Sequence, residues 1–492
     1  MPKVSVAWEG MSREIFFEGT PLLASLLREN GYPLDTPCGG RGLCGKCRVE
    51  ASGALSMETA AEHAAKGRLA CQTHLLGDAR VTLPALRVME NIAASGVRPP
   101  FALAPLRGRY GMAVDIGTTT LAATLLSLES GETLASAAAE NPQRAVAADV
   151  IGRMEAAMAG QAGLLQSLIT GAIEQLRAGL CAQAGIPAGA IDQTVITGNT
   201  TMLYLYSRKD PEPLSHAPFR ADCLFGQLMD PQEAHIYIPR CVSAFVGADI
   251  TCAILASRLC AGDETALLAD IGTNGEIALR HKGRLYVCAT AAGPAFEGGG
   301  IEHGCGSIAG AIDRVWAQDG KPAFSTIGGA DPLGICGSGV IDLAATLLKL
   351  GQLDETGLLS GQLVRLDENI WFTQKDVRNV QLAKSAVTAG ILTLCQTVDV
   401  SLEDIASFYL AGGFGKHIDL ESAAAIGLIP QALTDRTRVI GNASIAGAEM
   451  LLLQEGFAQE SETFAREAEV VVLSGNPLFS GHYVSCMTLE PV

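Results

Sequence analysis

The sequence predicts a multidomain protein of mixed α/β and α+β class: a small β-rich module, then two lobes of similar build. Three observations carry that expectation. At 492 residues the chain is too long for one hydrophobic core and suffices for about three domains. Three cysteines crowd a glycine-rich loop, TPCGGRGLCGKCRVE at 36–50, among short alternating strands. Further on, a pattern of strand, Gly/Thr turn, strand, polar turn and strand occurs twice, each copy opening on Asp-x-Gly-Thr.

Composition narrows the classes. Hydrophobic residues make up 48% of the chain but aromatics only 5%, which suits small-residue α/β cores. No run of about 18 uncharged apolar residues occurs, so no membrane span is expected. The start, MPKVSVAWEGMSREIFFEG, alternates like a strand and lacks the apolar block of a secretion signal, so a cytoplasmic location is expected. Residues 1–90 carry ten Lys+Arg and ten Asp+Glu, so the formal charge of -17 resides wholly in the remainder. An acidic body argues against a nucleic-acid groove. Fourteen cysteines without a secretion signal are expected to be thiols, most of them buried and inert.

In the first module, VSVAW and REIFF alternate as a hairpin, and PLLASLLREN has helical spacing. The cysteine loop follows, then the strand CRVEA, a connecting segment, and RLACQTHLLGDARVTL. Strand pair, helix and returning strands suit a β-grasp fold. Cys38-x5-Cys44-x2-Cys47 with Cys71 gives four thiolates, the number a [2Fe–2S] cluster takes. The loop glycines let backbone curl around such a cluster, with N–H groups toward its sulfurs. A structural zinc would more naturally use two separated C-x2-C knuckles, and only one such pair is present. At these residues the sequence resembles the [2Fe–2S] ferredoxins, with the five-residue first gap of the adrenodoxin-like branch.

Residues 87–108 hold three prolines and no sustained period, as a linker would. The repeat follows. GMAVDIGTTTLAATLLSLESGETLASAAA and ALLADIGTNGEIALRHKGRLYVCATAA align Asp115 with Asp270, Gly117 with Gly272 and Thr118 with Thr273. An apolar strand delivers each Asp to its end, where a carboxylate can hold Mg²⁺ through water. Each Gly admits a phosphate closely, and Thr N–H and hydroxyl groups donate to it. A single copy is an ordinary hairpin turn as readily as a phosphate site. Two facing copies make a polyphosphate clamp. SFYLAGGFGKHID at 407–419 adds a Gly412–Gly413 pair against which a nucleoside can lie.

These three motifs in order resemble the acetate and sugar kinase/Hsp70/actin superfamily, which holds ATP and Mg²⁺ between two RNase H-like lobes. The resemblance places Asp115 to Thr120, with Gly117, Thr118, Thr119 and Thr120, in the first phosphate motif. Asp270 to Glu276, with Gly272, Thr273 and Asn274, form the second, and Ala411 to Gly415 the adenosine motif. Asn199, in TGNTTM, is a candidate polar group from the interlobe connection, or equally a helix cap. Glu276 is a candidate for orienting the attacking water, or else a strand-surface carboxylate. AAGPAFEGGGIEHGCGS at 291–307 faces partner or nucleotide, or is a flexible connector. Neither Cys305 nor Cys336 has a ligand set around it. The expected division is 1–86 ferredoxin-like domain, 87–108 linker, 109–262 lobe I and 263–492 lobe II.

Ferredoxin module plus ATPase pair resembles the reductive activators of corrinoid-dependent enzymes, down to stretches such as NPQR, GNTTM, DIGTNGE, AAGPAFEG, CGSG and AGGFG. The resemblance implies ATP-dependent one-electron reduction of Co(II) to Co(I) in a corrinoid protein of a methyltransferase system, through the cluster. It implies that corrinoid protein and a low-potential electron donor as partners, and it leaves room for a homodimer. Two other readings stay open on the residues alone: an electron donor to a radical dehydratase, and a redox-sensing kinase or ATP switch.

Overall fold

A computed structural model of the chain describes residues 1–8, 11–30, 32, 42, 47–83, 88–89, 96–147, 149–226, 228–229, 235–413 and 418–492. In the N-terminal module Leu75–Thr82 is the central strand of a five-stranded sheet. It lies parallel to Lys3–Trp8 and antiparallel to Arg48–Leu55. The expected hairpin is present as Lys3–Trp8 against Met11–Phe16. The amphipathic helix Leu23–Glu29 buries Leu23, Ala24, Leu26 and Leu27 among Val4, Val6, Ile15 and Val81. This is the β-grasp arrangement. The connecting segment holds a short helix, Ala60–Ala64, that its brevity hides in the sequence; Thr59 and Glu62 close it with a capping box.

Both repeats fold as antiparallel meanders. Tyr110–Ile116, Thr120–Ser127 and Thr133–Glu140 form the first, and Ala266–Ile271, Gly275–His281 and Arg284–Thr290 the second. Each meander gains a parallel strand on the side of its first strand. Gln193–Gly198 lies beside Tyr110–Ile116, pairing Asp115 with Thr197; Ser407–Gly412 lies beside Ala266–Ile271, pairing Asp270 with Ala411. The duplication is therefore one of whole sheets. Their near-continuous apolar strands are covered by helices, as sheets buried on both faces require.

Between the lobes, helices Ala248–Ser257 and Ala443–Leu453 pack face to face. A Cβ at Gly447 would lie 2.0 Å from the Cys252 carbonyl oxygen, so only glycine permits that approach. The segment 96–107 lies along the second of these helices rather than free of it. Val97 N–H donates to the Ile440 carbonyl, and Ala104 and Leu106 N–H donate to those of Leu453 and Leu452. Arg98 pairs with buried Glu449 at 3.1 Å. The helical stretch Val150–Ala184 is long and apolar enough to cross a membrane. Its Leu165, Ile169, Ala172, Ile173 and Leu176, however, form part of the lobe I core.

Candidate functional site

The predicted residues fall into two groups in the structure. Of the four cysteines, Cys38 and Cys44 lie outside the described residues. Cys47 and Cys71 are both buried, and their sulfurs stand 3.2 Å apart, close enough to reach one iron. Buried Glu62 braces that pair, a role no sequence pattern announced. Its Oε1 accepts from the Leu69 N–H at 3.1 Å and from the Thr73 hydroxyl at 2.7 Å, fixing the chain on both sides of Cys71. Burial pushes the Glu62 carboxyl up, but the hydrogen bonds from Thr59, Thr73 and Leu69 outweigh it and hold it below the usual range.

The second group converges on a cleft between the lobes that is open to solvent. Asp115, Gly117, Thr118, Thr120 and Asn199 line it from lobe I, and Asp270, Gly272, Thr273, Asn274, Glu276, Gly412 and Gly413 from lobe II. Thr119 completes the set: its hydroxyl meets that of Thr273 at 3.3 Å, so the two Gly/Thr turns touch across the cleft. Asn199 caps a helix and also reaches the first Gly/Thr turn. Its Oδ1 caps the helix Thr200–Tyr206 by accepting from Met202 N–H, while its Nδ2 donates to the Thr118 hydroxyl at 3.1 Å. Gly412, at φ +131°, lies in strand register with Ile271; a Cβ there would sit 2.2 Å from the Ile271 carbonyl oxygen. Residues 414–417 of that motif, Gly415 included, lie outside the described residues.

Four further polar side chains in the cleft were not foreseen. Asp249 opens the helix Ala248–Ser257, and Asn442 and Ser444 open its neighbour Ala443–Leu453. Asn442 Nδ2 and the Ser444 hydroxyl hold the two Asp115 oxygens at 3.3 and 3.2 Å. Glu297 accepts from the Thr273 hydroxyl at 2.5 Å. It stands in the 291–307 loop, whose Phe296, Cys305, Gly306 and Ser307 also face the cleft. Cys336 is packed, its thiol against the Ile312 carbonyl at 3.3 Å. His303 meets Trp371 edge to face and stays out of the cleft.

Five carboxyl groups thus share one hollow, and among the described residues no lysine or arginine forms an ion pair with any of them. Burial, with the charges of neighbouring carboxylates, pushes Asp115 up to about 6, Asp249 to about 7 and Asp270 to about 8. Burial likewise raises Glu297 and takes Glu276 well above its usual range. Glu276 Oε1 is buried without a hydrogen-bond partner. A divalent cation is what such a donor set lacks: hard oxygen ligands, crowded negative charge and room for water.

Each raised carboxyl binds its proton more tightly folded than unfolded, so its stabilising contribution is full below about 4 and lost as pH rises through the folded value. Without Mg²⁺, the melting temperature is expected to fall from pH 5 to 8.5, and Mg²⁺ is expected to flatten that fall. Thermal melts across this range check it; a profile unchanged by Mg²⁺ would contradict cation binding here.

Comparison with known proteins agrees with both halves. Residues 6–76 match a 2Fe-2S iron-sulfur cluster binding domain, 110–261 the RACo middle region, and 264–491 the C-terminal domain of RACo, the ASKHA domain. The chain is 33% identical over 414 residues to the corrinoid activation enzyme RamQ of Eubacterium limosum, covering 76% of this chain and 69% of that one. It is 25% identical over 416 residues to the [Co(II) methylated amine-specific corrinoid protein] reductase of Methanosarcina barkeri, covering 76% of each. A solved reductive activator for corrinoid, iron-sulfur protein superposes with a TM-score of 0.74 at 28% identity, over 99% of this chain and 98% of that one. The cofactors these matches give the chain are a [2Fe–2S] cluster and ATP with Mg²⁺.

Proposed function

The chain belongs to the RACo family, and from that premise we infer that it is an ATP-dependent reductase returning Co(II) of a corrinoid protein to Co(I). The corrinoid protein is taken to serve a methyltransferase, with a low-potential donor refilling the cluster. The observation that carries the reading is the pairing, in one chain, of two thiols at 3.2 Å in a ferredoxin-type sheet with two phosphate turns touching across a cleft. The reading divides the chain at 1–86, 87–108, 109–262 and 263–492 and places it in the cytoplasm, where its thiols stay reduced.

The division of labour is chemical. A bound [2Fe–2S] cluster supplies single electrons and ATP supplies free energy. Cys47 and Cys71, with Cys38 and Cys44, hold the cluster. Thr118 and Thr119 from one lobe, and Thr273 and Asn274 from the other, donate to the phosphates. Asp115 and Asp270 hold Mg²⁺ through water, and Asn442 and Ser444 fix the Asp115 carboxylate for that task. Glu276 orients water, and Gly412 and Gly413 admit the adenosine. A weak reductant needs this help because each ~59 mV of deficit costs about tenfold in a one-electron equilibrium. Free energy reaches the partner only if nucleotide binds one lobe arrangement better than another. The packed pair Ala248–Ser257 and Ala443–Leu453 carries cleft residues on both members, so it moves with that choice.

Phosphate release measured anaerobically tests the link between cleft and partner. A corrinoid protein held as Co(II) is expected to raise the rate several-fold, and the same protein held as Co(I) is not. Equal rates with both forms and with no partner would support a free-running ATP switch instead.

A further inference from the structure

Behind the Gly117–Thr119 turn lies Arg153, one of the bulkiest wholly buried side chains in the protein. It projects from the helix Val150–Ala156, which Asp149 caps by accepting from the Gly152 N–H at 2.8 Å. Its Nη2 donates to the Thr118 carbonyl at 2.7 Å and its Nε to the Ala147 carbonyl at 3.0 Å. Its Nη1 lies 3.5 Å from Gln143 Oε1 and 3.2 Å from Met202 Sδ. All of these acceptors are neutral. Asp149 acts on it as a weaker charge without forming an ion pair, and Arg144 opposes it. A guanidinium removed from water without a carboxylate partner is costly to keep, and such a charge calls for an anion nearby.

The turn itself shows where that anion would lie. In a trans peptide the carbonyl of one residue and the N–H of the next point in opposite directions. Asn141 Nδ2 holds the Gly117 carbonyl at 2.8 Å, and Arg153 holds that of Thr118. The N–H groups of Thr118 and Thr119 therefore face away from these anchors, toward the cleft that Thr118 lines. Neither N–H has a protein acceptor among the described residues. The matching turn of lobe II is anchored differently. There the Thr273 carbonyl accepts from the Gly293 N–H at 2.8 Å, an uncharged donor. Lobe I thus uses a charged donor where its counterpart uses a backbone amide.

We propose that Arg153 is a positioning residue for the nucleotide's phosphates. It draws the Thr118 carbonyl inward, turns the Thr119 N–H toward the polyphosphate, and sets an unpaired positive charge behind the turn. The proposal rests on the cleft being the ATP site, and its signature is a dependence on phosphate. The full chain with its cluster, under anaerobic conditions with Mg²⁺, is titrated with ATP and with adenosine by calorimetry or by displacement of a fluorescent nucleotide. Arg153→Met is expected to weaken ATP roughly tenfold or more, the worth of one hydrogen bond to a charged group. Adenosine binding is expected to stay within about twofold. Arg153→Lys keeps the charge and one donor, so it should recover part of the ATP affinity. It also supplies the reading if Arg153→Met does not fold. Equal weakening of ATP and adenosine would assign Arg153 a purely structural role and overturn the proposal, as would unchanged ATP affinity. A wild-type chain that binds no ATP would remove the site reading, and the proposal with it.

Discussion

Asp270→Ala is expected to lower ATP turnover by about a hundredfold or more, the scale of losing one ligand that positions a catalytic metal ion. It is also expected to raise, not lower, the melting temperature above pH 7. Both halves come from one geometry. Asp270 is the penultimate residue of the strand Ala266–Ile271, in register with Ala411, and lines the cleft. Burial and the charges of Asp249, Asp115 and Glu297 push it up to about 8. Without Mg²⁺, keeping that carboxylate ionised opposes folding, so its removal relieves the lobe. Activity and stability should therefore move in opposite directions. A variant that loses both together has misfolded, and one that loses neither shows that Asp270 does not serve the nucleotide.

Cys71→Ser is expected to abolish the visible absorption and the reduced-state paramagnetic signal of the cluster. Co(I) formation should fall by at least about a hundredfold, because a seryl hydroxyl stays protonated where a thiolate ligand is required. ATP binding should stay within about twofold, since the phosphate turns belong to separate sheets. Cys288→Ser makes the control. Cys288 is wholly buried in lobe II, 4.0 Å from the Gly390 carbonyl, and its loss should leave the cluster intact. Loss of cluster absorption in both variants would point to unfolding rather than ligand removal.

What was legible in the sequence was local chemistry. Asp115 and Asp270 could be found because a strand end, a Gly/Thr turn and a returning strand lie within a few residues, and because the pattern occurs twice. The β-grasp module was legible for the same reason, its helix Leu23–Glu29 and hairpin each carrying their own periodicity. Asp249, Glu297, Asn442 and Ser444 were not, since chain topology alone brings them beside the aspartates. A signal did exist for two of them. TGNTT at 197–201 and IGNAS at 440–444 share a strand–Gly–Asn–helix form, and both asparagines cap helices and donate into the cleft. Arg153 was hidden because an arginine beside Glu155 on a short helix reads as a solvated face. Segment 96–107 was hidden because backbone hydrogen bonds and a single arginine, Arg98, tie it down, and proline content and polarity report neither.

The most direct measurement follows one electron. The protein, its cluster reduced beforehand and excess reductant removed, is mixed anaerobically with a Co(II) corrinoid protein, and visible absorption is followed with and without Mg²⁺ and ATP. Coupling of cleft to cluster requires Co(I) to appear as the cluster reoxidises, up to one Co(I) per cluster, and only when ATP is present. Co(I) forming equally without ATP, or a cluster that stays reduced while ATP is consumed, would contradict that coupling.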